Sequence, residues 1–593
     1  MKGGVTSGIV YPAAICEIAK TFSYKNIGGT SAGAIAAALT AAAQRQRLLG
    51  SERGFDVLAA VPEELKENNL LLRLFRPNSA VRALFDTIAA MVGRKTVVEK
   101  LVAGISAYPV ASLLGALPAI VLLLDARNRL LAFPFAALLL VAGMIFAAAV
   151  AFGSDFLNKT KGNDFGLVTG ISDDDPTAPA LTTWLEQKLR EASGIEKPDV
   201  PLTFAMLWDH RCSGPSGLRD RPEEHDVNLE MIATNLTYGR PVKYPFDTSS
   251  LFFQEDEMRR YFPAHVVDWM KQYQRGPEPH EAARLEAYAK DRVYPMPPIG
   301  DVPVIVATRM SLSFPILFSA VPLRCADFGL KINHVHAGVP HVLEPCWFSD
   351  GGLSSNFPIS LFDSPLPRWP TFAINLGAFS EDHPEAESED RNIYMPKRTT
   401  DGRLPAFQRF SDLPGFLATI FTTMQNWSDN AQMTLPGYRD RIVTVLLSAS
   451  EGGLNLDMPP ELLDRLRARG AAAGALLAQS YADATPRPPA HATGWASHRW
   501  LRLRSLMGSL RVYLTSLRDG YADSSASTYD EMIESHVAVT PYPVSPETGA
   551  QARPLLGASS DLGVRYAAAS GLMDELPSPP PDLVLRPNLS HLS

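Results

Sequence analysis

Two uncharged runs constrain this chain more than any other feature. Leu101 to Leu124 is 24 positions without a formal charge, and Leu130 to Phe152 is 23 more, separated only by Asp125-Ala126-Arg127-Asn128-Arg129. As a helix, each run spans about 35 Å at about 1.5 Å per residue, enough to cross a hydrocarbon core about 30 Å thick. The five residues between them leave room only for a tight turn, so the sequence predicts a transmembrane helical hairpin at 101–124 and 130–152. Pro109, Pro118 and Pro134 would be costly in a soluble helix but are tolerated in a membrane helix packed on a neighbour. Arg94, Lys95 and Lys100 flank one side and Lys159 and Lys161 the other, while the tip holds Arg127 and Arg129. The cation count puts the flanks, and with them both large polar portions of the chain, on the cytoplasmic side. The competing reading is a buried hairpin at the core of a large soluble protein.

Outside these runs the composition is that of a globular protein. Hydrophobic residues make up 46% and charged residues 20%, which excludes whole-chain disorder and collagen-like structure. A length of 593 residues suggests about four units at roughly 150 residues each, and can bury a large core without metal or disulfide staples. The net charge of −8 argues against a dedicated nucleic-acid binder, which needs a surplus of cations for phosphate contacts. Cys16, Cys212, Cys325 and Cys346 form no CxxC pair, so neither a disulfide framework nor a zinc site is expected, and nothing in the sequence calls for a metal or cofactor. The opening residues lack the continuous apolar run of a secretory signal.

Along the chain, residues 46–100 read as mainly helical and polar, and residues 181–190 as an amphipathic helix. Apolar runs at 201–207, 231–236, 302–307, 371–376 and 442–447 read as strands, with a weaker one at 22–27. Separated by helical stretches, they suit a mostly parallel sheet covered on both faces. Residues 460–481 and 498–521 read as helices; the second carries a stripe of Leu503, Leu506, Leu510, Leu514 and Leu517 flanked by Arg504, Arg511 and Arg518. Such a stripe either packs on its own protein or lies on an anionic membrane surface. Residues from 541 onward are rich in Pro and Ser and read as an extended or disordered tail. The predicted organisation is a main domain at 1–455 interrupted by the hairpin at 101–152, a helical region at 456–540 and a tail at 541–593.

Three motifs carry chemistry. Gly29-Thr30-Ser31-Ala32-Gly33 fits GxSxG, a sharp strand-to-helix turn that holds a serine hydroxyl at a helix N-terminus, its glycines removing Cβ atoms that would clash. Ala34 to Leu39 behind it are good helix formers. The glycine stretch Gly3-Gly4-Val5-Thr6-Ser7-Gly8 begins 28 residues ahead of Ser31. It can turn backbone N–H groups toward an anion and, with the N–H of Ala32, form an oxyanion hole. A phosphate cradle fits less well, since no Lys-Ser or Lys-Thr follows either stretch. Finally, Ser349-Asp350-Gly351-Gly352 follows an aromatic run and is suited to present a carboxylate at a strand end. Ionised near neutral pH, that carboxylate can accept a proton from a bound serine hydroxyl.

In this order, the glycine loop Gly3 to Gly8, the elbow Gly29 to Gly33 and Asp350-Gly351-Gly352 resemble the motifs of patatin-like phospholipases. The stretch Arg309 to Pro315 resembles the helix-start region such proteins carry ahead of the aspartate. The resemblance covers roughly residues 1–455. It implies a three-layer α/β/α sandwich, lipid acyl-ester hydrolysis and a Ser–Asp dyad, with Ser31 as nucleophile and Asp350 as general base. Gly3, Gly4 and Ala32 would supply the oxyanion donors, and Gly8, Gly29, Gly33, Gly351 and Gly352 would complete the motifs. The expected substrate is a phospholipid or another acyl-ester lipid, the expected partner a membrane, and no nucleic acid is expected. The family's loop is GGGx[RK]G, whereas this one reads Lys2-Gly3-Gly4-Val5-Thr6-Ser7-Gly8, and the family has a strand ahead of it. The expectation is therefore either an upstream start or a sheet lacking its first strand.

Other readings compete. A Ser–acid–His triad would draw on His383, His491, His498, His536 or His591, but an elbow at residue 31 leaves no room for the strands that precede it in that fold. A non-catalytic lipid-binding or scaffold protein derived from such an enzyme is the alternative of another class, and a thioesterase or peptidase on the same dyad is a third.

Overall fold

The computed structural model describes residues 1–4, 6–92, 96–125, 129–173, 175, 177–215, 225–276, 282–334, 340–398, 401, 410–448, 450–453, 455–482, 494–522, 528–536 and 545–569. Arg94, Lys95, Arg127, His491, His591 and most of the predicted tail lie outside them. The strands are β1 (Asn26–Gly29), β2 (Gly166–Val168), β3 (Asn228–Asn235), β4 (Arg240–Tyr244), β5 (Phe252–Gln254) and β6 (Val293–Pro295). They continue as β7 (Ile316–Phe318), β8 (Val321–Ala326), β9 (Leu343–Ser349), β10 (Ala373–Ala378), β11 (Ile393–Tyr394) and β12 (Ile442–Leu447).

The chain is mixed α/β, but its sheets are not mostly parallel as expected. The largest runs β1-β3-β9-β8-β5-β6, with β4 added on β3. Only β1 and β3 are parallel; β4, β9, β8, β5 and β6 all pair antiparallel. A second sheet, β10-β12-β11, is parallel between β10 and β12 and antiparallel at β11, and β2 pairs β7 in parallel. A continuous apolar run reports burial on both faces but not the direction of its neighbour, so the pattern could not distinguish the two. Met1 to Gly3 bridge the two larger sheets. The Met1 amino group donates to the Gly28 carbonyl (2.9 Å) and the Lys2 N–H to the Ile374 carbonyl (3.4 Å).

Two predicted strands are helices. Residues 201–207 give the helix Phe204–Trp208, and 302–307 the helix Val304–Ser311, every residue of which is buried. A short apolar run surrounded by protein has the same pattern in either state. Here Pro303 caps the second helix, and the segments ahead of both are tied together by Val304 N–H to Leu202 O at 2.8 Å. Arg309 to Pro315 is accordingly where a helix ends rather than starts, and Pro315 leads directly into β7.

One core joins residues that the sequence reading assigned to separate regions. Ile15, Leu39, Leu58, Met231, Phe348 and Val445 share it with Leu466 and Leu477 of the helix Pro460–Ala482. The helix Pro460–Ala482 packs into the core of the segment before 455. The segment expected to be an extended tail contains the helix Pro546–Ala568. Ser545 caps it by accepting Thr548 N–H at 3.1 Å, and Pro546 sits in the first turn, where its missing N–H costs nothing. Reading the segment by composition alone hid that start signal.

The first uncharged run is not one straight helix. Helices Val97–Ala107 and Pro109–Asp125 meet at a 104° bend. Tyr108 precedes a proline and is driven out of the helical region, to φ −125° and ψ 62°. The second run lies within the helix Arg129–Gly162, whose stretch Ala132–Gly162 is long and apolar enough to cross a bilayer. It packs on Pro109–Asp125 so closely that a Cβ on Gly115 or Gly143 would strike the other's carbonyl. Leu113, Val121, Phe135, Leu138 and Phe146 are exposed along the pair.

Candidate active site

The elbow forms as the motif predicts. β1 ends at Gly29, the helix Ala32–Leu48 begins at Ala32, and Ser31 between them takes φ 53° and ψ −129°. That backbone is strained for a residue with a side chain. A Cβ on Gly29 would run into the Gly33 carbonyl, and one on Gly33 into the carbonyls of Met1 and Lys2, so both glycines are needed for the turn to close. Ser31 is only 3% exposed, and its N–H donates to the Ser311 hydroxyl at 3.3 Å.

The structure brings Asp350 to it across 319 residues of chain. Asp350 follows β9 and is 2% exposed. Its Oδ1 accepts Gly352 N–H at 2.7 Å, while its buried Oδ2 accepts no hydrogen bond of normal geometry among the described residues. Burial pushes its pKa up to about 7, against a smaller downward pull from the Ser31 hydroxyl and the Gly352 N–H. The carboxyl is thus poised to gain or lose a proton near neutrality, beside the hydroxyl it would serve. Its backbone is held on both sides: Asp350 N–H donates to Ser313 O at 3.0 Å, and Thr234 Oγ1 donates to Asp350 O at 2.8 Å.

The glycine loop lies beside the serine but does not supply every expected donor. A Cβ on Gly3 would come within 3.0 Å of the Ser31 Cβ. Yet the Gly3 N–H is spent on the Asn356 carbonyl at 2.8 Å, which removes Gly3 from the oxyanion set. Gly4 and Ala32 remain, the latter at a helix N-terminus whose dipole favours negative charge. The loop is pinned beyond Gly4, where Thr6 donates from its N–H and its hydroxyl to Gly453 O (3.3 and 3.2 Å). The 448–453 loop is in turn fixed by the buried pair Arg469–Glu451, with N–O distances of 2.6 and 2.9 Å. Gly8, Gly351 and Gly352 all lie in this assembly, and Gly351 fits only because a Cβ there would meet the Ile232 carbonyl.

No histidine is a hydrogen-bond partner of Ser31 or Asp350 among the described residues. His498 is buried against Asp440 at 2.7 Å, and His383 sits in an exposed loop. Asp209, His210 and Asp226 converge elsewhere on the surface, but His210 Nδ1 is already committed to Asp226 Oδ2 at 2.5 Å.

No protein-family profile matches the chain. It is 34% identical over 578 residues to the RpoH suppressor of Rhizobium meliloti (strain 1021), a match covering 86% of this chain and 85% of that protein. The chain belongs to the RpoH suppressor family.

In this family member several residues that shape the site escaped the sequence reading. Asp429, on the helix Leu413–Met433 and 1% exposed, accepts the N–H groups of Asn356 (2.8 Å) and Phe357 (2.7 Å) through Oδ2 and the Ser355 hydroxyl through Oδ1 (3.3 Å). Asn356 O then accepts from Gly3 N–H and from the Thr30 hydroxyl at 3.0 Å, so one carboxylate positions the loop that abuts both the glycine stretch and the elbow. Burial raises the pKa of Asp429, opposed by those two N–H groups and by Lys2, itself shifted down by burial. The available signal was Asn356-Phe357-Pro358, which begins four residues after Gly352; nothing local pointed to Asp429. Asp429→Ala leaves the N–H groups of Asn356 and Phe357 without their acceptor. Ester turnover is expected to show kcat down about tenfold or more with KM nearly unchanged, since an ångström of misplacement costs up to about 10²-fold. A change confined to KM would mean that Asp429 only braces the fold.

Proposed function

We propose that this chain is a membrane-associated lipid acyl hydrolase of the patatin-like kind, working through a Ser31–Asp350 dyad. The observation that carries the reading is a serine in strained elbow geometry beside a buried carboxyl whose pKa is raised to about 7. Asp350 takes the Ser31 proton as Oγ attacks the ester carbonyl, and the N–H groups of Gly4 and Ala32 face the developing oxyanion. Collapse expels the alcohol, which leaves with the proton from Asp350. Asp350 then draws a proton from water, which attacks the acyl-enzyme, and passes that proton to the departing Ser31 Oγ as the fatty acid is released. The three-layer patatin-like sandwich is part of the same proposal, supported by the parallel β1–β3 pair beneath the elbow. So is a two-helix membrane hairpin with the dyad on the cytoplasmic side, supported by the packed helices Pro109–Asp125 and Arg129–Gly162 and their exposed apolar residues.

The purified full chain in detergent is expected to release fatty acid from phospholipid and p-nitrophenyl esters, and a fluorophosphonate is expected to add its mass to the peptide containing Ser31. Ser31→Ala should lose both. The spent Gly3 N–H favours a second reading, a lipid-binding protein without turnover. Absence of both turnover and labelling, with lipid binding retained, would select it.

A further inference from the structure

A cavity of about 1410 Å³ forms a groove between the long apolar helix and the turn at Gly452 and Gly453. It exceeds the usual range of small-molecule pockets, about 300–1,000 Å³. Its outer end is built on Phe152 and Phe156, half-buried residues of the helix Arg129–Gly162, so it opens where that helix leaves its apolar stretch. Phe75, Phe85 and Ile88 form a side wall. Two of its lining segments adjoin residues that hold the site. Gly452 and Gly453 line the groove, and Gly453 holds Thr6 of the glycine loop. Phe314 lines it too, next to Ser313, whose carbonyl anchors Asp350 N–H.

Two further observations point to an occupant. Ile316 lines the groove 47% exposed, at φ 69°, a conformation a β-branched residue almost never takes. An apolar side chain is thus held by a strained backbone toward a space that no described residue fills, the kind of strain that collects at ligand sites. The rim carries the guanidiniums of Arg73, Arg76 and Arg82 against the carboxylates of Asp86 and Asp457, an excess of cations in a molecule of net charge −8. Guanidinium pairs with phosphate in a two-point geometry that ammonium does not match.

We propose that this groove receives one acyl chain of an anionic phospholipid drawn from the bilayer, its phosphate on the Arg73–Arg82 rim and its ester directed to Ser31. The assignment rests on the acyl-hydrolase reading for turnover but not for binding. The groove selects for chain length and for negative charge; the dyad does neither.

The test separates these roles. Ile88→Trp and Ile316→Trp fill the groove without touching the dyad. They are expected to leave p-nitrophenyl acetate hydrolysis within twofold of wild type while cutting kcat/KM for p-nitrophenyl palmitate at least tenfold. Loss on both esters, or on neither, overturns the proposal. In the second arm, Ser31→Ala protein is titrated with pyrene-labelled phosphatidylglycerol and phosphatidylcholine in detergent, and with pyrene-labelled fatty acid. Phosphatidylglycerol should bind at least tenfold tighter than phosphatidylcholine, and Arg73→Glu with Arg82→Glu should abolish that preference. Equal binding of the two phospholipids, or tighter binding of the free fatty acid than of either, overturns the headgroup assignment. Should wild type hydrolyse neither ester, the enzymatic reading fails while the binding arm still decides the groove.

Discussion

Asp350→Asn is expected to disable the enzyme and stabilise the protein at the same time. Removing the base should lower kcat by about 10²–10⁴-fold, the usual worth of a positioned proton acceptor. The stability gain follows from burial. An aspartate of ordinary value 3.8 that is raised to about 7 on folding binds its proton more tightly in the native state than in the unfolded one. The contribution of Asp350 to native stability is therefore greatest below pH 4, falls as the pH rises toward 7 because only the unfolded chain ionises there, and stays lowered above. At about 1.4 kcal/mol per pKa unit, the standing cost at pH 8 is about 4 kcal/mol at most. Asparagine keeps an oxygen for the Gly352 N–H and escapes that cost. The difference in melting temperature between Asp350→Asn and wild type should thus be small at pH 4, widen to pH 7 and level off above it. Wild-type kcat/KM should rise with an apparent pKa near 7 over the same range. A stability difference that does not change with pH would refute the buried-carboxylate account, whatever the loss of activity.

What could be read from the sequence follows from what each signal encodes. The elbow was legible because its constraint is local: Gly29 and Gly33 flank Ser31 within one turn, and only glycine fits there. β12 was legible at residue resolution, Ile442 to Leu447, because five apolar residues and a β-branched threonine between an arginine and a serine leave little choice. Asp350 was legible as a strand-end carboxylate, since β9 stops at Ser349. Strand direction was not, because Val321–Ala326 and Leu343–Ser349 are as apolar in an antiparallel pair as they would be in a parallel one. The runs at 201–207 and 302–307 misled for a related reason: complete burial erases the periodicity that separates helix from strand. Asp429 was invisible because its partners, Ser355 to Phe357, lie more than 70 residues away and nothing in its own helix marks it. The Gly3 error was of the same kind, as the acceptor that takes its N–H belongs to residue 356.

Arg309→Met is expected to cost at least about 3 kcal/mol and to take activity with it. Arg309 is 1% exposed and has no carboxylate among its hydrogen-bond partners. Its Nε and Nη2 donate to Thr169 O (both 3.1 Å), Nη2 also to Val168 O (3.4 Å) and Ser319 O (3.1 Å), and Nη1 to the Ser313 hydroxyl (2.6 Å). Its guanidinium also lies 4.8 Å from the centre of the Phe318 ring. Burial pulls its pKa down to about 10, so it still carries its charge at neutral pH, solvated by carbonyl dipoles in place of water. Those dipoles come from the ends of β2 and β7, so the side chain works as a clasp between two short strands with little other pairing. Methionine keeps much of the stem's volume but donates nothing, leaving three buried carbonyls and a hydroxyl short of a donor at about 1–3 kcal/mol each. Lysine keeps the charge but cannot reach four acceptors in one plane, so Arg309→Lys should recover only a minor part. The consequence reaches the site through Ser313, whose carbonyl holds both the Asp350 N–H and the Ser349 hydroxyl at 3.0 and 2.9 Å. Chemical denaturation and ester turnover measured on the same preparations are expected to fall together, in the order wild type, lysine, methionine. A methionine variant with the wild-type midpoint would mean that the clasp contributes nothing to the fold.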